Sequence, residues 1–223
     1  MRYDSAAPIA TAKKAEKSMP QRLIEGYQRF RKGYFQQHEQ HLSALAEEQK
    51  PSIAMVSCSD SRVDPAIIFD TNPGELFVIR NVANLVPPCE DDGNYHGTSA
   101  ALEFAVTGLE VEHIVVLGHA QCGGIKALID TEPEDAGESF VATWMQILKD
   151  VRQEVLAGVE EKSSEQCARA CEKAAVHKSL NNLMSFPWIS ARVEAGQLAL
   201  HGWYYDVRCG QLEQLETVDS NQS

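Results

Sequence analysis

Apolar positions along this chain follow two rhythms. Short unbroken runs suit buried strands, and runs spaced three to four residues apart suit amphipathic helices. Between residues 20 and 47, Leu23, Tyr27, Phe30 and Tyr34, then Leu42 and Leu45, recur at helical spacing, and Pro20 suits a first helical turn. Gly33 interrupts the stripe, which predicts an arm of two helical pieces. Beyond it the pattern changes to strand and helix in alternation. Strands are predicted at 53–57, 76–79, 113–117 and 198–206, with a further edge strand at 211–215. Helices are predicted at 66–69, 98–107, from the Gly123-Gly124 pair onward, and over 140–158 and 164–185. The turn signal NPG at 72–74 and the polar loop at 87–97 separate elements. This order predicts an α/β fold, a mainly parallel β-sheet flanked by helices, preceded by an N-terminal helical arm. The expected division is a flexible tail at 1–19, the arm at 20–47, an α/β body at 48–216 and a C-terminal tail at 217–223.

The 223 residues and 43% hydrophobic content are enough for one sizeable core. The net charge of −12 argues against nucleic acid and against an anionic membrane surface as partners. No apolar run approaches the roughly 20 residues that span a bilayer. The first residues lack the apolar core of a secretion signal, so a frayed tail is expected. Their lysines and small residues leave an organelle transit remnant as the alternative. The six cysteines, Cys58, Cys89, Cys122, Cys167, Cys171 and Cys209, then read as reduced thiols in a cytoplasmic setting.

Two stretches carry chemistry. In CSDSR, residues 58–62, a thiol, a carboxylate and a guanidinium alternate where the first strand should end. In GHAQCGG, residues 118–124, His119 and Cys122 follow the third parallel strand. Parallel sheets gather chemistry at the carboxyl ends of their strands, so Cys58, His119 and Cys122 can share one crevice. Two thiolates and an imidazole suit zinc, and three protein ligands leave a fourth position open, as catalytic zinc requires. If residues 58–62 stay extended, Cys58, Asp60 and Arg62 share a face. Asp60 would then orient water at the metal, and Arg62 would keep Asp60 ionised. Gly118 and Gly123 are expected to clear space beside the metal. Taken singly, each pattern also suits buried thiols and a satisfied core histidine.

With CSDSR, the stretches PGELFVIRNVANLV (73–86), GTSAALEFAV (97–106), GHAQCGGI (118–125), CEKAAVHKSLNNL (171–183) and GWYYDV (202–207) resemble the β-class carbonic anhydrases, in their plant-type branch. The resemblance covers about residues 20–215. It implies one Zn2+ per chain on Cys58, His119 and Cys122, with Asp60 and Arg62 as a catalytic dyad. In some relatives the aspartate leaves its arginine and closes the metal site, a role that would fall to Asp60. The implied substrate pocket has Gln49 for bicarbonate, Phe77 as an apolar wall and a backbone N–H at Gly123. Phe104 stands where the family often has tyrosine, so a ring remains without its hydroxyl. Met55 stands where the branch with an allosteric bicarbonate site has tryptophan, which argues against that regulation; the matching Arg80 is common to the family.

The implied reaction is reversible hydration of CO2 to bicarbonate and a proton by zinc-bound hydroxide. His96 and His113 are the histidines considered for carrying that proton to buffer. The implied assembly is a homodimer, or a tetramer built from dimers, with the N-terminal arm lying across the partner. The alternatives on the same scaffold are a carbonyl sulfide or carbon disulfide hydrolase and a zinc-stabilised non-catalytic protein. Elsewhere, Cys167 and Cys171 read as part of a small apolar helix stripe, His38 and His41 as a solvated face, and 132–138 as a solvated acidic loop. Trp144, Trp188 and Trp203 read as core or interface residues.

Overall fold

A computed structural model describes residues 19–90, 92–130, 139–158 and 163–220. The segments expected as the N-terminal tail and the acidic loop at 132–138 lie outside the described residues, apart from Met19. The chain divides into two units, one ending at Glu48 and the other beginning at Gln49.

The described residues of the first unit form three helices rather than the two expected: α1 (Met19–Lys32), α2 (Tyr34–Gln37) and α3 (Glu39–Glu47). Gly33 breaks the first junction as anticipated. The second break falls at His38, whose ring stacks on Tyr34 at 4.1 Å and whose Nδ1–H donates to the Tyr34 carbonyl at 2.8 Å. His38 is therefore engaged within the arm, not simply solvated. Leu23, Ile24, Tyr27 and Phe30 form an exposed apolar stripe on α1.

The described residues of the second unit form five strands: β1 (Ile53–Cys58), β2 (Leu76–Asn81), β3 (His113–His119), β4 (Ala199–Asp206) and β5 (Gln211–Val218). Their spatial order is β2-β1-β3-β4-β5. The first four are parallel, and β5 closes one edge antiparallel to β4. The edge strand outlasts its expected end because it pairs with β4 as far as Val218 opposite Leu200. The central strands β1 and β3 are buried on both faces, which explains their unbroken apolar runs.

Among the described residues, seven helices accompany the sheet: α4 (Pro65–Ile68), α5 (Gly97–Glu103), α6 (Gly123–Asp130), α7 (Phe140–Met145), α8 (Lys149–Ala157), α9 (Ser164–Leu183) and α10 (Pro187–Glu194). The side chains of Ala54, Val56, Ile114, Val116 and Leu200 pack with Val176, Leu180 and Leu183 of α9 and Ile189 and Val193 of α10. Met55, Val115 and Leu117 point the opposite way, against Val63, Ile68 and Phe69. This is the two-residue alternation of a pleated sheet with both faces occupied.

α9 begins with a full capping box, Ser163 and Gln166 each bonding the other's backbone N–H. α10 was not anticipated: its sequence has weak periodicity, and the signal it offered was Pro187 in a first turn. The helix predicted at 98–107 is real but changes to a π-helical turn over Phe104–Gly108. The run at 140–158 is two helices joined by a 3-10 turn over Gln146–Leu148. All six cysteines are free, and Cys167 and Cys171 are buried in α9, as the apolar-stripe reading expects.

Candidate metal centre

β1 and β3 run side by side, and both end where the chemistry begins. Cys58 closes β1, His119 closes β3, and Cys122 stands just before α6. The Sγ atoms of Cys58 and Cys122 and a ring nitrogen of His119 lie within 4.8 Å of one another. All three residues are at least 95% buried, with 5%, 1% and 2% exposure for Cys58, His119 and Cys122.

The histidine's orientation tests whether a metal fits. Its Nδ1–H donates to the Ala120 carbonyl at 2.9 Å, which leaves the lone pair on Nε2. That Nε2 is buried and has no hydrogen-bond partner. A buried orphan nitrogen is costly, and here it faces two thiols. With this soft donor set, zinc satisfies all three groups at once. The thiols are prepared for it. Cys58 is held below the usual thiol range, chiefly by a hydrogen bond from Cys122, against the opposing effect of burial. Cys122 is pushed up, chiefly by that same bond and then by burial, because a second thiolate beside the first is unfavourable. Backbone N–H groups of Gly124 and Ile125, at the start of α6, act the other way on Cys122. A divalent cation removes the conflict between the two sulfurs.

The chain does not stay extended after Cys58. Residues 60–63 form a turn closed by the Val63 N–H on the Asp60 carbonyl at 3.1 Å. The expectation of a shared face by alternation is therefore replaced by an Asx-type turn, in which the Asp60 carboxylate accepts the Arg62 backbone N–H at 2.9 Å. The Arg62 guanidinium adds Nε–H to Oδ1 at 3.0 Å and Nη2–H to Oδ2 at 2.7 Å. Asp60 is consequently held well below the usual carboxylate range, with the Arg62 side-chain bonds as the main cause. Arg62 also donates to the Gln121 carbonyl at 3.0 Å, which ties this turn to the His119–Cys122 loop. Gln121 makes that possible by adopting a left-handed φ of 58°. Asp60 is thus paired with Arg62 in this structure.

Two supporting residues escaped the sequence reading. Glu172, 3% exposed on α9, accepts the Cys122 backbone N–H at 3.1 Å. Its other oxygen accepts the Tyr204 hydroxyl at 2.6 Å and Arg169 Nη1–H at 3.2 Å. The only signal for it was an acidic residue inside the buried stripe of Cys171, Ala175 and Val176. Arg80, whose match is common to the family, clamps the turn after β1. Its Nε–H donates to the Cys58 carbonyl at 2.9 Å, and Nη2 donates to the Asp60 and Val63 carbonyls at 2.8 Å each.

The glycines divide differently from expectation. A Cβ on Gly118 would lie 2.5 Å from Val176 Cγ2, so that glycine admits α9 rather than a metal. Gly123 opens α6 directly after Cys122, with nothing within 4 Å of an added Cβ. Gly124 is the tight position, 2.9 Å from Val82 Cγ1.

Of the expected substrate residues, Gly123 adjoins Cys122, whereas Gln49, Phe77 and Phe104 lie elsewhere. Phe77 stands opposite Ala54, whereas Cys58 stands opposite Asn81, four residues further along. At the rise of a strand that is about 13 Å. Gln49 is exposed and precedes β1, at the amino end of the sheet. Phe104 packs near Phe77, with ring centroids 5.9 Å apart, and is half exposed. A single chain therefore groups Phe77 with Phe104 but does not bring Gln49 or this pair to the metal ligands. His113 begins the strand that His119 ends, about 20 Å away, and its Nδ1 pairs with His201 Nε2 at 3.2 Å.

A Cys-His-Cys centre at the carboxyl ends of parallel strands, with a carboxylate–guanidinium pair beside it, defines a zinc-enzyme site on an α/β scaffold. Comparison with known proteins narrows the class. A family model described as carbonic anhydrase matches residues 53–212. The chain is 40% identical over 177 residues to the chloroplastic β carbonic anhydrase 5 of Arabidopsis thaliana, a match spanning 79% of this chain and 58% of that protein. It is 37% identical over 192 residues to a carbonic anhydrase of Synechocystis, spanning 86% of this chain and 69% of that protein. Among solved structures, the β-carbonic anhydrase CcaA superposes with a TM-score of 0.84 at 33% identity, over 93% of this chain and 98% of that one. A tetrameric β-carbonic anhydrase of Sordaria macrospora gives 0.79 at 29% identity, over 89% and 98%. The chain belongs to the carbonic anhydrase family, in its β class.

Proposed function

We propose that this chain catalyses the reversible hydration of CO2 to bicarbonate and a proton, with one zinc held by Cys58, His119 and Cys122. The observation that carries this reading is the buried, partnerless Nε2 of His119 facing two thiols, one of them strongly acidified, with the Asp60–Arg62 pair alongside. When bound, zinc supplies the acid chemistry that makes water a usable nucleophile near neutral pH. The chain's own residues do the rest. Arg62 keeps Asp60 ionised, so its carboxylate accepts a hydrogen bond from the reacting water and aims the water's lone pair at carbon. The tie from Arg62 to Gln121 holds the two ligand loops at one spacing.

The substrate pocket requires a second copy. Gln49, Phe77 and Phe104 lie too far from the ligands of their own chain, and half-exposed Phe104 leaves an apolar face uncovered. In a homodimer, those residues of one subunit face the metal centre of the other. Phe77 and Phe104 then form the apolar wall for CO2, Gln49 binds bicarbonate, and Gly123 offers its backbone N–H. The exposed stripe on α1 fits an arm that covers a partner. Pairing of dimers into a tetramer is consistent with the Sordaria protein, which is tetrameric. Six free thiols suit a reducing compartment such as the cytoplasm. The hydrolase and non-catalytic alternatives draw no support from these relatives.

Stopped-flow CO2 hydration by zinc-loaded protein tests the proposal directly. Turnover should depend on stoichiometric zinc and vanish on chelation. A zinc-loaded, fully folded oligomer without CO2 hydration would refute it.

A further inference from the structure

We propose that His96, held by Asp92, carries the proton released in each hydration turnover from the neighbourhood of the metal centre to buffer, a role that rests on the reaction proposed above. CO2 and water yield bicarbonate and one proton, so every turnover leaves one proton to export. The metal ligands are buried, so that proton must pass through a group that solvent reaches.

Asn81 is the cross-strand neighbour of Cys58, on the same face of the sheet. The groove beside Asn81 is lined by Val82, Thr98, Trp144 and His96. Asn81 Nδ2–H donates to Thr98 Oγ1 at 3.2 Å, so the start of α5, which His96 immediately precedes, is fastened to the strand end beside Cys58. Among the described residues lining this groove, His96 is the only side chain of a type that titrates near neutrality.

The imidazole is arranged for relay. Its Nε2 lies 2.6 Å from Asp92 Oδ1. Nε2–H donates to that carboxylate, which leaves the lone pair on Nδ1 as the proton acceptor. Asp92 is itself fixed by the backbone N–H and Nδ2–H of Asn94 at 2.9 and 2.8 Å. The proton arriving at Nδ1 through water gives an imidazolium paired with Asp92. Release to a buffer base restores the neutral ring. The side chain is 31% exposed, so solution buffers reach it. The Asp92 bond raises the ring's pKa against the opposing effect of partial burial, and the charge of Glu90 adds to the rise. Asn81, Val141 and Trp144, which face the groove from the neighbouring elements, carry no charge. Asp92 acts through the ring and is a positioning residue.

The test compares zinc-loaded wild type, His96→Ala and Asp92→Asn. In about millimolar buffer, His96→Ala should lose roughly tenfold in kcat, while kcat/KM for CO2, which excludes the export step, stays unchanged. Added imidazole should restore kcat. Independently of activity, NMR titration of the His96 ring should show a midpoint that falls in Asp92→Asn. Unchanged kcat in dilute buffer, or no rescue by imidazole, would overturn the relay while leaving the reaction standing. A midpoint unmoved in Asp92→Asn would overturn the role of Asp92. Wild type without CO2 hydration would overturn the reaction itself, a result distinct from the others.

Discussion

Arg62 grips both carboxylate oxygens of Asp60, Nε–H on Oδ1 at 3.0 Å and Nη2–H on Oδ2 at 2.7 Å, within a turn of two residues. A bidentate pair of this kind fixes geometry as well as charge. Asp60→Asn keeps the size of the side chain and the three metal ligands but removes the charge that Arg62 was built to hold. We expect zinc content to stay near one per chain and kcat/KM to fall by about 100-fold or more. Metal analysis and stopped-flow assays on the same preparation check both parts. Wild-type turnover in this variant would remove Asp60 from the mechanism.

The same pair sets a pH dependence of stability. Asp60 has a folded pKa depressed from its ordinary 3.8. Its contribution is therefore full above about pH 4, and it is lost as pH falls from there through the folded value. Acid unfolding of Asp60→Asn should be shallower than that of wild type below pH 4, and the two curves should run parallel above it. A denaturation series from pH 7 to pH 2 reads this difference. Curves parallel throughout would mean that the pair is not formed in solution.

Metal removal exposes the conflict between the sulfurs. Without a cation, the hydrogen bond from Cys122 lowers the pKa of the Cys58 thiol and favours its thiolate. Zinc-free protein should therefore react with a small alkylating reagent at Cys58 as well as at the exposed Cys89 and Cys209, and one equivalent of zinc should protect Cys58 alone. Peptide mapping after a short exposure identifies the site. The melting temperature should also drop by several degrees on chelation and recover with zinc. Equal labelling of Cys58 with and without zinc would contradict the ligand set.

What could be read from residues alone divides along a physical line. Cys58, His119 and Cys122 were legible because strand ends in a parallel sheet converge, and the apolar runs of β1 and β3 marked those ends. The Asp60–Arg62 pair was legible as a pair but not as a turn, because alternation and an Asx turn both bring residues i and i+2 together. Glu172 stayed hidden because its partner, the Cys122 backbone N–H, is 50 residues away in sequence and leaves no side-chain signature. The Gln49, Phe77 and Phe104 pocket was named from resemblance. Only the strand register shows that one chain cannot assemble it around its own metal.

Glu172 is the hinge between the metal loop and α9. It satisfies the Cys122 N–H, the Tyr204 hydroxyl and Arg169 from a nearly fully buried position. Glu172→Ala leaves the Cys122 N–H and the Tyr204 hydroxyl without their acceptor, and it leaves Arg169 with only Glu165 as a carboxylate neighbour, at 3.8 Å. The loss should be about 3 kcal/mol, measured by chemical denaturation of the zinc-loaded protein. Glu172→Gln keeps an acceptor for Cys122, so it should retain more stability and bind zinc more tightly than the alanine variant. Equal zinc affinity in the two variants would show that the N–H contact does not position Cys122.

Gly118 tests whether packing against α9, rather than space for the metal, dictates a glycine next to a ligand. An added Cβ would stand 2.5 Å from Val176 Cγ2, a distance no relaxed pair of carbons adopts. Gly202 in the neighbouring strand serves the same side chain, since a Cβ added there would stand 2.9 Å from the other methyl of Val176. Gly118→Ala should therefore force α9 outward, costing about 1–3 kcal/mol, and the strain should reach His119 as weaker zinc binding. Val176→Ala removes the clashing methyl at the cost of a small cavity. The double variant should be more stable than the two single losses added together, since the new methyl occupies part of the space vacated. If the losses simply add, the obstruction at Gly118 lies elsewhere, and clearance beside the metal becomes the better explanation for that glycine.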